Sequence, residues 1–282
     1  METDATVARL RAAGCVFAEE EAAILTASAR SAAELSLFVE RRASGEPLEQ
    51  VVGWAEFCGR RIFVDPGVFV PRRRSEFLVS VALGLVRSQR AAGVPVIVDL
   101  CCGTGALGLA VAAGAGSRIG PGELHAADLD PAAVACARRN VEPAGGRVYQ
   151  GDLFEALPPG LRGRIDVLIC NAPYVPTTEI AFLPAEAREH EARMALDGGA
   201  DGLMILRQVT ASAGEWLAPG GVLLVETSER QAPSMAAAMS GAGLDARIHS
   251  DDDSGATVVT GTGSGATGTG PGITGTGSAG DG

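Results

Sequence analysis

The sequence predicts an α/β protein, a doubly wound and mostly parallel sheet preceded by a small helical region and a hairpin. Three observations predict it. From Val94 onward, short apolar runs alternate with Ala-rich stretches of helical length, and such alternation builds a parallel sheet with crossover helices. The first run, VPVIVDL, passes through a glycine-rich turn into a helical stretch. Acidic residues Asp99, Asp128 and Asp152 stand at three successive expected strand ends, where open α/β sheets bind their ligands.

The elements follow in order. Between residues 4 and 44, Val7, Leu10, Val16, Ile24, Leu25, Leu35, Phe38 and Val39 recur at helical intervals, predicting two or three short helices. EPLEQVVG (46–53) continues that region, and WAEFCGRRIFVDPGVFVP (54–71) has the aromatic, β-branched and Gly-punctuated character of a hairpin. Residues 1–74 are therefore expected to form a small N-terminal domain. SEFLVSVALGLVRSQRAAG (75–93) reads as a linking helix capped by Ser75. Strands are expected in VPVIVDL, ELHAAD, RVYQ, RIDVLIC and GGVLLVET, with ARIHS and ATVVT adding an antiparallel edge, so the main domain spans 75–260. The Gly/Thr-rich remainder, 261–282, has too few apolar side chains to offset chain entropy and is expected to be a disordered tail.

Composition narrows the function. The chain has 282 residues, 46% of them hydrophobic, and a formal net charge of −11, so it can build a large core but should repel a phosphate backbone. Nucleic acid is an unfavoured partner. All 23 basic residues are Arg, which excludes a catalytic lysine. The six Cys show no CxxC spacing and the three His are scattered, so no metal is expected and the thiols read as reduced, in a cytoplasmic protein. METDATVARL lacks the basic start and apolar run of a secretory leader. Asp99 and several Gly interrupt the apolar stretch 94–116, so no membrane span is expected.

In VDLCCGTGALGLA, Gly103 and Gly105 lie between strand and helix, where Gly permits positive φ and close approach of a ligand to the backbone. The loop lacks the GxxxxGK[ST] pattern that cradles phosphates. Asp128 falls about where a carboxylate meets ribose hydroxyls, and Asp152 is placed to accept from an adenine amino group. Taken singly, each acid reads equally well as a helix cap or a solvated turn residue. Jointly they suit an adenosine bearing a cationic centre, S-adenosylmethionine, better than a pyrophosphate.

A second constellation follows the strand IDVLI, where CNAPYVP (170–176) begins. Asn171 offers a side-chain carbonyl, Ala172 a backbone carbonyl, Pro173 fixes the turn and Tyr174 supplies an aromatic wall. Two convergent acceptors suit a planar NH2 group, whose hydrogens they hold while its nitrogen faces a methyl donor. An amide or aryl amine is a poor nucleophile because its lone pair is delocalised, and holding both hydrogens localises that pair.

On these motifs the chain resembles the protein-(glutamine-N5) methyltransferases that modify the Gln of peptide-chain release factors, within the class I methyltransferases bearing (D/N)PPY. The likeness runs from about residue 46 to 260, through EPLEQVVGWAEFCGRRIFVDPGVFVPR, VDLCCGTGALGLA, AADLDPAAVACARRN, GDLFEALP and EARMALDGGADGL. It implies a Rossmann-like sheet with a small helical N-terminal domain, S-adenosylmethionine as cofactor and a glutamine-containing protein as substrate, a release factor being the expected one. It further implies that Asp99, Cys101, Gly103, Gly105, Asp128, Leu129, Asp152, Leu153 and Asn171 contact the cofactor. Asn171 and Tyr174 would be catalytic, and Arg72, Asn171, Ala172, Pro173 and Tyr174 would meet the substrate.

The sequence departs from the family pattern at Ala172, which replaces the first Pro of NPPY, at Cys101, which replaces a Gly, and in RRRSE (72–76), where RPETE is more usual. Arg72 to Arg74 also read as a solvated charge run. Two rival readings remain: an N6-adenine or other nucleic-acid amino methyltransferase, whose base would stack on Tyr174, and a degenerate fold that binds the donor without catalysis. His190 and the stretch ETSER (226–230) are left outside the site.

Overall fold

A computed structural model describes residues 2–88, 94–119 and 123–263. The chain opens with four helices, α1 (Glu2–Ala12), α2 (Ala18–Ser28), α3 (Ala32–Ala43) and α4 (Leu48–Val52). They enclose a cluster of their own, with Leu10, Leu25, Leu35, Phe38, Val39 and Val51 buried together. Ser31 caps α3 by accepting from Glu34 N, which satisfies one of the free N–H groups of its first turn. A hairpin follows, β1 (Trp54–Phe57) and β2 (Arg60–Phe63), turning through Cys58 and Gly59 at φ 49° and 66°. Positive φ at both central residues matches the right-handed twist of the flanking strands.

After a short 3-10 turn at Arg73–Ser75 come α5 (Glu76–Ser88), β3 (Val96–Leu100), α6 (Ala106–Ile119), β4 (Glu123–Asp128), α7 (Pro131–Val141), β5 (Arg147–Gln150) and β6 (Ile165–Cys170). Then follow α8 (Ala185–His190), α9 (Met204–Trp216), β7 (Leu217–Thr227), α10 (Ala232–Gly241), β8 (Leu244–Asp251) and β9 (Ala256–Gly263). The seven-stranded sheet has the order β5-β4-β3-β6-β7-β9-β8. β3 to β7 pair in parallel and β9 runs antiparallel to both neighbours. This is the Rossmann-like sheet expected, with its antiparallel strands at one edge.

The central strands are apolar throughout because helices cover both faces. Ile97, Val167, Ile169, Val222 and Leu224 pack with α5, α6 and α7 on one side. Val98, Leu100, Leu168, Leu223 and Val225 pack with α9 and α10 on the other. Strand order reverses between β3 and β6, which opens a crevice at their carboxyl ends. Asn140 on α7 ties the hairpin to that crevice: it accepts from Phe63 N at 2.8 Å and donates to Phe63 O and Thr104 O at 2.9 Å.

Two expectations are corrected. Ser75 closes the 3-10 turn, and its hydroxyl meets the Asn171 amide instead of capping α5. β9 runs to Gly263, three residues into the stretch expected to be a tail. Those positions suit the sheet, since a Cβ at Gly261 would stand 2.9 Å from Leu244 Cδ1 and Met239 Sδ. The rest of that stretch, 264–282, lies outside the described residues, as do 89–93 of the linking segment. Among the described residues no helix is long and apolar enough to cross a membrane.

Candidate functional site

A cavity of about 410 Å³ lies at the crevice between β3 and β6. One half of its wall is the loop after β3. Cys101 sits at φ 54°, Gly103 at 53° and Gly105 at 77°, so the backbone coils tightly before α6. The two glycines serve different ends. A Cβ on Gly103 would meet nothing within 4 Å, whereas one on Gly105 would stand 2.6 Å from Val141 Cγ2. Gly103 lines the cavity; Gly105 lets α7 pack against the loop.

Asp128, at the end of β4, holds this loop. Its Oδ2 accepts from Gly103 N and its Oδ1 from Asp130 N, both at 2.9 Å, and each oxygen keeps a second lone pair. Burial raises its pKa, and those backbone N–H groups oppose the rise. Asp99 is fully buried under the loop, on the α6 side of β3, where Oδ2 accepts from Gly108 N at 2.8 Å and Oδ1 has no partner. Burial lifts its pKa to about 7. It braces the loop without lining the cavity.

The other half of the wall is assembled from distant segments. Asn171, Ala172, Pro173 and Tyr174 follow β6 and all line the cavity. Ala172, where the family motif has Pro, is buried in the α9 side of the core. The Asn171 amide donates through Nδ2 to Ser75 Oγ at 3.4 Å and Glu226 Oε2 at 3.5 Å. Tyr174 OH donates to Glu226 Oε1 at 2.9 Å and accepts from Arg74 Nη2 at 2.6 Å, while Arg74 Nε reaches Glu226 Oε1 at 3.1 Å. The Arg74 guanidinium also faces the Tyr174 ring, 5.9 Å from its centroid. Burial and the Glu226 carboxylate push the phenol pKa well up, so Tyr174 stays a neutral hydroxyl. Burial works against the Arg74 cation, but Tyr174 and Glu226 outweigh it and strengthen its hold on the proton.

Arg72 lines the cavity and donates to Glu191 Oε1 at 2.6 Å, a carboxylate that also accepts from Val70 N at 3.2 Å. Glu191 follows α8, and Leu183, Ala187 and Leu196 from that same region close the cavity from outside.

The structure thus brings Arg72, Cys101, Gly103, Asp128, Asn171, Ala172, Pro173 and Tyr174 to one cavity. It does not bring Asp99, Gly105, Leu129, Asp152 or Leu153 to its lining. Leu129 is exposed, and Asp152 lies exposed past the end of β5, beside Gly151, whose N–H donates to Asp128 O at 3.1 Å. Leu153, at φ 45°, packs with the α9-side core. Sequence reasoning left out Glu226 and took Arg74 as part of a charge run. The available signal was position: Glu226 is the penultimate residue of the strand beside β6, one residue past the Cys170–Val225 pair.

Residues 61–206 match the family model described as the methyltransferase small domain. A release factor glutamine methyltransferase of Streptomyces coelicolor is 39% identical over 68% of this chain and 66% of its own. One of Geobacter sulfurreducens is 36% identical over 79% and 75%. A 4-amino-L-phenylalanine/4-methylamino-L-phenylalanine methyltransferase of Streptomyces pristinaespiralis is 36% identical over 71% and 67%. In fold, a methyltransferase of Pyrococcus furiosus superposes with a TM-score of 0.52 at 16% identity, over 81% of this chain and 99% of that one.

Proposed function

Because the chain belongs to the methyltransferase small-domain family, alongside the release factor glutamine methyltransferases, we propose that it methylates the side-chain amide (N5) of a glutamine in a protein, a peptide-chain release factor. The single observation carrying this reading is the orientation of Asn171. Its NH2 is held from behind by Ser75 and Glu226, so its carbonyl is left for the cavity.

The residues present fit S-adenosylmethionine. Gly103 leaves open space where a Cβ would stand, and Asp128 keeps lone pairs for ribose hydroxyls. Its negative charge suits a cationic ligand. When bound, S-adenosylmethionine supplies an electrophilic methyl group.

On the acceptor side, Asn171 Oδ1 and the Ala172 backbone carbonyl take the two hydrogens of the glutamine amide, which localises the nitrogen lone pair and fixes its direction. Tyr174 offers a π face as positive charge develops on nitrogen. Forming the new N–C bond costs the nitrogen one N–H, and that proton leaves to solvent because an alkylated amide cation is strongly acidic. No strong base is required.

The test is mass spectrometry of a release factor containing Gly-Gly-Gln, incubated with the protein and S-adenosylmethionine, beside a Gln→Ala control. One added methyl confined to the Gln is expected. A planar aryl amine would satisfy the same two acceptors, and a relative of similar identity is named for 4-amino-L-phenylalanine. That amino acid belongs in a parallel reaction, and its methylation with no labelling of the release factor would replace the proposed substrate.

A further inference from the structure

Glu226 is a buried acid behind the Asn171 amide, outside the lining of the cavity. Its two oxygens have different partners. Among the described residues, Oε1 accepts from both Tyr174 OH and Arg74 Nε, whereas Oε2 accepts from the Asn171 NH2 alone. The groups that reach it all donate, and a carboxylate offers acceptor lone pairs on both oxygens.

An asparagine side chain has two nearly isosteric ends, and its orientation follows from the hydrogen bonds it meets. Were Asn171 turned over, its carbonyl would face the Glu226 carboxylate, acceptor against acceptor, and its NH2 would face the cavity. A substrate NH2 would then meet a donor where it needs an acceptor.

We propose that Glu226 is a positioning residue that fixes the Asn171 amide with its carbonyl toward the cavity, with Arg74 as the ion-pair partner that holds the carboxylate in place. The proposal rests on the acceptor role given to Asn171. Arg74 occupies the third position of RRRSE, where this chain departs from the family pattern, so the Arg74–Glu226 ion pair belongs to that departure.

The substitution Glu226→Gln tests this by chemistry rather than by size. Tyr174 OH and Arg74 would keep the Gln carbonyl at the Oε1 position, which puts an NH2 group opposite the Asn171 NH2. Asn171 should then flip. Turnover should fall about 100-fold, the scale of losing one aligned polar contact, with donor affinity unchanged. Asn171→Asp alone should also be poor, because it sets a second carboxylate against Glu226. The double variant Asn171→Asp/Glu226→Gln restores a donor–acceptor match and leaves one Asp oxygen facing the cavity. It should exceed both single variants by about 10-fold, a coupling that independent sites do not show. A double variant no better than the worse single one overturns the proposal.

A readout without substrate separates this idea from the assignment of function. The chain has two asparagines, Asn140 and Asn171, so protein labelled with 15N-asparagine gives two side-chain NH2 pairs, assigned by Asn171→Asp. In the unaltered protein the Asn171 NH2 protons should show nuclear Overhauser contacts to the Ser75 β-protons, and Glu226→Gln should abolish them. Their absence from the unaltered protein, or their persistence in the variant, overturns the proposal even if no tested glutamine is methylated. Their presence without methylation of any release factor retains the positioning role and rejects that substrate.

Discussion

The two halves of the cavity are built by opposite means. The donor half is local and made of backbone: one strand, one loop and the start of one helix, between Asp99 and Gly108, clamped by a single acid 25 residues away. The acceptor half is made of side chains from remote segments, with Asn171 and Ser75 96 residues apart, Arg74 and Tyr174 100, and Arg74 and Glu226 152. Backbone coiling confers a shape that survives most side-chain changes, whereas a relay of donors and acceptors depends on every member. Damage should therefore be graded in the donor half and steep in the acceptor half.

The sharpest contrast is Asn171→Ala. It should lower turnover about 100-fold or more while isothermal titration finds donor affinity nearly unchanged. Loss of donor binding instead would move Asn171 to the other half. Asp128→Ala should do the converse, weakening donor binding about 10- to 100-fold, as expected for hydrogen bonds to a charged group. An unchanged donor dissociation constant would remove Asp128 from the ribose role.

The two loop glycines divide the donor half further. Gly105→Ala drives a methyl into Val141 and should cost about 1–3 kcal/mol of stability by urea denaturation. Gly103→Ala incurs chiefly the left-handed backbone penalty of about 1–2 kcal/mol, but places its methyl in the cavity and should weaken donor binding. Equal effects of the two on both readouts would dissolve the distinction.

Asp99, which lies outside the cavity lining, should show itself in the pH dependence of stability rather than in binding. Its pKa rises on folding from 3.8 to about 7, so between those values the folded chain holds a proton that the unfolded chain has released. Stability should then fall as pH rises from about 4 to about 7 and level off above, by linkage. Asp99→Asn cannot titrate and should flatten that slope, seen as denaturation midpoints at pH 5 and 7.5 that lie closer together than in the unaltered protein.

The same contrast explains what was legible in the sequence. Strand and helix order could be read because apolar runs and helical periodicities are local, and the glycine loop because its spacing is. Asp99 was placed in the cavity because it nearly ends a strand. The alternation of side chains instead turns it, with Ile97, to the α6 face, where Gly108 makes room for it: a Cβ there would lie 2.8 Å from Asp99 Cβ. The NAPY turn was recognisable as one contiguous motif. Glu226 and Arg74 were not, since only the completed sheet brings β7 beside β6 and the 3-10 turn over both. Ser75 has the residue type of a helix cap, and tertiary contact with Asn171 overrides that preference.

The placement of β9 bears on how the protein is made. It is the last strand described, yet it lies inside the sheet, pairing on one side with β7 from Val222 to Thr227 and on the other with β8. Val258 stands directly across from Glu226. As the chain emerges from the ribosome, the glycine loop and the Asn171 turn can form with the strands already present, but the outer support of the Glu226 backbone arrives only with residues 256–263. A nascent chain would acquire donor binding first and the means to position an acceptor last, so a molecule interrupted before β9 would hold the methyl donor without being equipped to use it.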